Sequence, residues 1–210
     1  MAVLPQKPAP AECLEVYNFN DMNDNYYKTQ ESVEEYIQMA KGFDGRELID
    51  KLRNYLPPKS VLLEIGSGPG SDFQILKKDY KVIGSDFSKE FLNRLIRNNR
   101  NDEFLNLDAV TLETDRKFDG IYSNKVLQHL TNDELRNSIA RQVELLNSDG
   151  IICHSFWKGE GDEEFNGLFV NYHTKECLKA FFQDYFEILL IEEYNEFEDA
   201  DSLLLIGKKK

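Results

Sequence analysis

The sequence predicts an α/β fold: a seven-stranded, mostly parallel sheet with helices on both faces and an antiparallel C-terminal hairpin. Three observations carry this. From Ser60 onward, apolar runs of strand length alternate with amphipathic helical stretches at close intervals. The first run, SVLLEI, is apolar without alternation, as a strand covered on both faces has to be. The last two runs, YFEILLIEEYNEF and DSLLLIGKK, are joined by an acidic link too short for a crossover helix, so they should pair antiparallel.

In chain order, residues 1–20, with Pro5, Pro8 and Pro10, read as a disordered extension. Residues 21–58 read as a helical cover. Val33, Tyr36, Ile37 and Ala40, then Leu48, Ile49, Leu52 and Tyr55, recur at helical spacing around a break at GFDG. Pro57 and Pro58 stop the second helix. Residues 59–210 then form one domain. After SVLLEI, a second strand is expected over about Lys81–Ser85, followed by a helix with Ser88 as N-cap and Phe91, Leu92, Leu95 and Ile96 on one face. DEFLNLDA and FDGIYSN supply the third and fourth strands. A helix capped by Thr131, with Glu134 completing a capping box, runs to Asn147. SDG at Ser148–Gly150 should close that helix, IICHSFW is the fifth strand, and a last helix spans about Thr174–Gln183. GEGDEEF, from Gly159 to Phe165, reads as an acidic, solvated loop.

Composition narrows the function. The chain has 210 residues, 41% of them hydrophobic, enough for one core. It carries 38 acidic and 25 basic residues, a net charge of -13 that repels a phosphate backbone, so no nucleic-acid partner is expected. The three cysteines lack zinc spacing, which predicts reduced thiols, no metal and a cytoplasmic protein. No apolar window approaches a membrane span or signal peptide, so no membrane partner is expected either. Nothing in the sequence sets the oligomeric state.

The informative stretch is LLEIGSGPGSDF, Leu62–Phe73. In open parallel sheets, ligands bind beyond the carboxyl ends of the strands, where strand order reverses. A dinucleotide fingerprint would space its glycines G-x-G-x-x-G, with pyrophosphate at the helix N-terminus. Here the glycines are Gly66, Gly68 and Gly70, flanked by Glu64 and Asp72. Two like charges about 4 Å apart repel by roughly 4 kcal/mol at an effective dielectric of 20, so the loop suits a cationic or zwitterionic ligand better than a diphosphate.

LLEIGSGPG resembles the first motif of the class I S-adenosylmethionine-dependent methyltransferases, an acidic residue followed by G-x-G-x-G. The antiparallel terminal hairpin matches the Rossmann-like sheet of that family. The resemblance implies S-adenosylmethionine as cofactor and methyl transfer to a small-molecule acceptor by in-line displacement at the sulfonium methyl. It also implies that Gly66, Gly68 and Gly70 let the backbone approach the cofactor, while Glu64 supports the loop and the cationic tail. Asp86 in GSDFS would accept the ribose hydroxyls, with Phe87 against the adenine. Asp108 and Ala109 in LNLDA would read the adenine ring, and Ser123 with Asn124 in YSNKVLQHL would lie near the transferable methyl. YIQMAKGFD, Tyr36–Asp44, resembles the segment that lids the cofactor in small-molecule members.

Each assignment has a plainer rival. Asp86 and Asp108 also fit turn or capping residues, since Asp is common after strands. His129 would serve as a substrate-facing base, but its apolar neighbours favour a packed, hydrogen-bonded wall residue. His154 faces either the core or the helix layer, and His173 reads as a surface or capping residue. Trp157 is a substrate wall or packs against the N-terminal helices. Tyr27 covers the pocket or simply packs. The rival functions are a protein methyltransferase, a nicotinamide-dependent oxidoreductase sharing Asp86, and a catalytically silent cofactor-binding module. No catalytic residue is identified, because an activated methyl donor needs chiefly positioning and exclusion of water.

Overall fold

The computed structural model describes residues 29–165 and 168–210. Among the described residues nine strands follow in chain order: β1 (Val61–Ile65), β2 (Lys81–Asp86), β3 (Glu103–Asn106), β4 (Phe118–Asn124), β5 (Leu146–Trp157), β6 (Asp162–Phe165), β7 (Leu168–Asn171), β8 (Phe186–Tyr194) and β9 (Ser202–Lys209). Seven form one sheet in the order β3-β2-β1-β4-β5-β9-β8. Strands β1 to β5 pair in parallel, β9 lies antiparallel to β5, and β8 is antiparallel to β9, as the sequence predicts. Strand order reverses at β1, which opens a crevice above the carboxyl ends of β1 and β4.

Six α-helices among the described residues cover the sheet: α1 (Gln30–Met39), α2 (Arg46–Leu52), α3 (Ser71–Leu76), α4 (Lys89–Asn98), α5 (Asn132–Leu145) and α6 (Lys175–Phe182). The unbroken apolar runs follow from this layering, because successive strand residues face opposite sides. Leu63 and Ile65 join a core with Leu135 and Ile139 of α5 and Leu178 and Phe182 of α6. Leu62 joins a second core with Leu48, Ile49 and Leu52 of α2 and Leu76 of α3. In β9, Leu203 and Leu205 divide from Leu204 and Ile206 in the same way. No helix among the described residues is long and apolar enough to cross a membrane.

The caps form where the sequence places them. The Ser88 hydroxyl accepts from the Phe91 amide, and Thr131 and Glu134 exchange both bonds of a capping box. Helix α1 lies over α4, with the Tyr36 ring 5.8 Å from Phe91 and Glu34 2.8 Å from Arg94.

Two expectations are corrected. The acidic stretch is not all loop: Asp162–Phe165 pairs antiparallel with Leu168–Asn171, and Glu163 accepts the Tyr172 hydroxyl. Its acids hide the strand because β-propensity measures fit to a half-buried surface, which the partner strand supplies. Nor does SDG close α5 at Asn147. The helix ends at Leu145 and runs directly into β5, and the ladder slips where Asp149 takes φ +60°. The extension at residues 1–20 lies outside the described residues.

Thr131→Ala should lose the capping box and cost about 1 kcal/mol. Urea unfolding followed by far-UV circular dichroism should show a lower midpoint with an unchanged slope.

Candidate functional site

The loop after β1 turns through Gly66, Gly68 and Gly70 with φ of +70°, +47° and +88°. A side chain would be strained at all three, but each position faces a different neighbour. A Cβ on Gly66 would stand 2.4 Å from Val126 Cγ2, and one on Gly70 would stand 2.6 Å from Leu95 Cδ2. A Cβ on Gly68 would meet only the Tyr36 ring, at 4.0 Å. So Gly66 and Gly70 let the loop seat against Val126 and α4, while Gly68 leaves an open cradle beneath α1.

Glu64, 2% exposed at the end of β1, accepts the Ser67 hydroxyl at 2.6 Å. Burial, reinforced by the neighbouring Asp72 charge, pushes its carboxyl up to about 8. The Asp86 carboxylate closes β2 and buttresses the loop from below. Its Oδ2 accepts from the Gly68 amide at 2.9 Å and its Oδ1 from the Ser88 amide at 2.8 Å. Burial raises this carboxyl to about 6 despite those bonds. Phe87, beside it, is 54% exposed.

Asp72 departs from its expected part. It is no free charge flanking a ligand: Oδ1 accepts from the Gly45 amide at 2.6 Å, and Oδ2 accepts from the Tyr122 hydroxyl at 2.7 Å and Asn124 Nδ2 at 3.0 Å. The helical cover, α3 and β4 therefore meet on one carboxylate. Asn124 is equally engaged, since its Oδ1 also accepts the Ser155 hydroxyl. Gly45 is required here because a Cβ would stand 2.2 Å from the Tyr122 hydroxyl, and GFDG was the only sequence signal for it.

Beyond β3, Asp108 Oδ1 accepts from the Val110 amide at 2.6 Å and the Thr111 amide at 3.3 Å, a turn-forming arrangement. The neighbouring Ala109 carbonyl accepts the Ser138 hydroxyl at 2.6 Å. That hydroxyl ends a buried chain. Gln142 Nε2 donates to Ser138 at 3.2 Å, so Gln142 Oε1 accepts from His154 Nε2 at 2.8 Å and His154 Nδ1 accepts from Ser123 at 2.8 Å. His154 faces this helix layer, and burial depresses its imidazole to about 3, keeping it neutral.

His129, in a 3-10 turn at Leu127–His129, donates Nδ1–H to the Phe169 carbonyl at 2.7 Å, and burial lowers its pKa. The Trp157 backbone amide donates to Gln128 Oε1 at 3.0 Å, tying that turn to the end of β5. The Trp157 ring lies 5.6 Å from Phe197, which lies 4.7 Å from Phe43 of the cover, while Lys125 Nζ sits 3.5 Å from the Trp157 centroid. Sequence reasoning missed Lys125 and Phe197 and placed Phe43 only within the lid-like segment Tyr36–Asp44, because only the folded chain brings the α1–α2 and β8–β9 connections together. His173 is corrected: it is 2% exposed, wedged against Phe156 and Phe181, and burial lowers it to about 4. Its neighbour Thr174 is the helix cap. Tyr27 lies outside the described residues.

Buried carboxylates at Glu64 and Asp86, beside an open glycine cradle, fit a ligand with a cationic group and neutral hydroxyl donors. No group of three or more His, Cys, Asp or Glu among the described residues is arranged to hold a metal ion.

Residues 62–150 match the family model described as a methyltransferase domain. No curated protein matches the sequence. Among solved structures, the 1,6-didemethyltoxoflavin-N1-methyltransferase of Burkholderia thailandensis, with 1,6-didemethyltoxoflavin and S-adenosylhomocysteine bound, aligns with TM-score 0.76 and 18% identity over 96% of this chain and 94% of its own. The N-methyltransferase NodS of Bradyrhizobium japonicum, in complex with S-adenosylhomocysteine, aligns with TM-score 0.66 and 18% identity over 89% and 99%. An amino pentose methyltransferase of Micromonospora echinaspora, with S-adenosylmethionine bound, aligns with TM-score 0.67 and 14% identity over 85% and 97%. At these identities the shared property is the fold.

Asp72→Ala should orphan three donors and cost about 3 kcal/mol or more. Urea unfolding should register that loss, and Asp72→Asn, which keeps one acceptor oxygen, should recover part of it.

Proposed function

We propose that this chain, whose residues 62–150 match the methyltransferase-domain family model, transfers a methyl group from S-adenosylmethionine to a small-molecule acceptor. The observation that carries the reading is the Gly68 cradle between the buried carboxylates Glu64 and Asp86, with no heavy atom nearer than 4.0 Å to the position a Cβ would take. S-adenosylmethionine supplies a methyl group already activated on a sulfonium. The three solved relatives support the cofactor, since each is described with that compound or its demethylated product bound. Two of them name a small molecule as acceptor, which supports that class here.

The chain's own residues bind, orient and shield. Glu64, ionised, receives the cationic tail, and Gly68 admits the backbone to it. Asp86 keeps acceptor capacity beyond its bonds from the Gly68, Ser88 and Phe87 amides, and this capacity receives the ribose hydroxyls. Phe87, Asp108 and Ala109 border the adenine end, with the Ala109 carbonyl held by Ser138. Helix α1 and the loop to Gly45 act as the cover, which excludes water once closed. Asn124, held by Asp72 and Ser155, shapes the wall next to the methyl, and His129 and Trp157 border the acceptor. The two described cysteines, Cys153 and Cys177, are free, which supports a cytoplasmic setting.

The Glu64 carboxyl, raised to about 8 by burial, sets a pH dependence. An ammonium or sulfonium favours its ionised form, so binding below pH 8 releases a proton. Affinity for S-adenosylhomocysteine should rise with pH by up to roughly tenfold per unit and level off above about 8. Calorimetry in two buffers of different ionisation enthalpy will detect the proton, and a flat profile between pH 6 and 8 contradicts this assignment. Asp86→Ala should weaken S-adenosylhomocysteine about a hundredfold or more with far-UV circular dichroism unchanged; unaltered affinity removes the ribose role.

A further inference from the structure

The β8–β9 connection, residues 195–201, is built to hold one aromatic ring in place. Asp201 Oδ1 accepts from the Glu196 amide at 2.9 Å, and Oδ2 accepts from the Phe197 and Glu198 amides at 2.9 and 3.0 Å. Asn195 Oδ1 accepts from the Ala200 amide at 2.8 Å, and Ala200 takes φ +53°. Beneath the loop, Glu196 Oε2 pairs with Lys125 Nζ at 3.2 Å and accepts the Tyr194 hydroxyl at 3.1 Å. Lys125 also donates to the Phe156 carbonyl at 3.0 Å and the Ser202 hydroxyl at 2.7 Å. All three of its protons are thereby engaged, so Lys125 is a strut and not a free base.

Despite this anchoring, Phe197 remains 45% exposed and its neighbour Phe43 remains 44% exposed. Four local hydrogen bonds fix the loop backbone from which the half-exposed Phe197 ring projects, and this preorganises the ring for a ligand. The rings flank the proposed methyl position: Lys125, under Trp157, directly follows Asn124, and Phe43 stands two residues before Gly45, which is bonded to Asp72. Trp157 and Phe197 lie 31° from parallel and Phe197 and Phe43 59° apart, leaving both a flat face and a tilted wall. A planar ring gains offset or edge contacts on such surfaces that a puckered ring of equal size does not.

We propose that Phe197, Trp157 and Phe43 form the acceptor wall and that it selects a planar aromatic or heteroaromatic acceptor. This rests on the methyl-transfer reading. The wall is tested with 2-naphthol against its saturated counterpart decahydro-2-naphthol, titrated calorimetrically into the full chain with and without saturating S-adenosylhomocysteine. The aromatic alcohol should bind at least tenfold tighter than the saturated one. Phe197→Leu should abolish that preference, and Phe197→Tyr should keep it, with S-adenosylhomocysteine affinity unchanged in both variants. Equal affinities for the two alcohols, or a preference that survives Phe197→Leu, overturns the wall. Absence of S-adenosylhomocysteine binding overturns the methyl-transfer reading instead, and the arm without it still judges the aromatic surface.

Discussion

The carboxylate of Asp72 is the constraint on which the rest of the site depends. It begins α3, yet accepts hydrogen bonds from the start of α2 through Gly45, from inside β4 through Tyr122, and from the end of β4 through Asn124. Burying such a group is costly unless its lone pairs are filled, and here three donors from two elements, the start of α2 and β4, fill them. The crevice at the switch point therefore has one geometry. The same charge contributes to the raised Glu64 carboxyl, so the hub that sets the shape of the site also sets its affinity for cations.

Around that hub the glycine loop is fixed from both sides. Gly66 and Gly70 are pressed against Val126 and Leu95, which leaves Gly68 the one loop glycine with space above it. Farther out, the chain Ser123–His154–Gln142–Ser138–Ala109 has every donor direction determined, because the Gln142 amide can donate to Ser138 only if its oxygen faces His154. A neutral imidazole in that chain rigidifies the connection between the end of β4 and the loop after β3. Fully satisfied buried networks specify a single arrangement, which suits a site whose main task is to hold two reactants in register.

The sequence displayed the donor half of this site for a physical reason. Glycines with positive φ, an acid at a strand end and N-caps act through their own backbone or through residues a few positions away, so residue identity and spacing reveal them. The acceptor half is assembled from distant connections. Trp157 reads equally as a substrate wall or a packing residue, Phe43 as part of a lid, Phe197 carries no local signature, and Lys125 reads as an ordinary lysine until β9 and the residue 196 carboxylate close around it. Asp72 misleads in the opposite direction. As a sequence feature it looks like a ligand charge, and only the approach of Gly45 and Tyr122 makes it structural.

The fold was determined by local pattern: apolar runs buried on both faces, capped helices between them, and a terminal link too short to cross over. Those signals lie within single elements, and hydrophobic burial at periods of 2 and 3.6 residues enforces them whatever the partner. Tertiary structure alone decided the β6–β7 hairpin, the burial of His173, the role of Asp72 and the aromatic wall. Each depends on which residues are brought within about 3 to 6 Å across long chain separations, and hydrogen bonding and ring packing act only at that range.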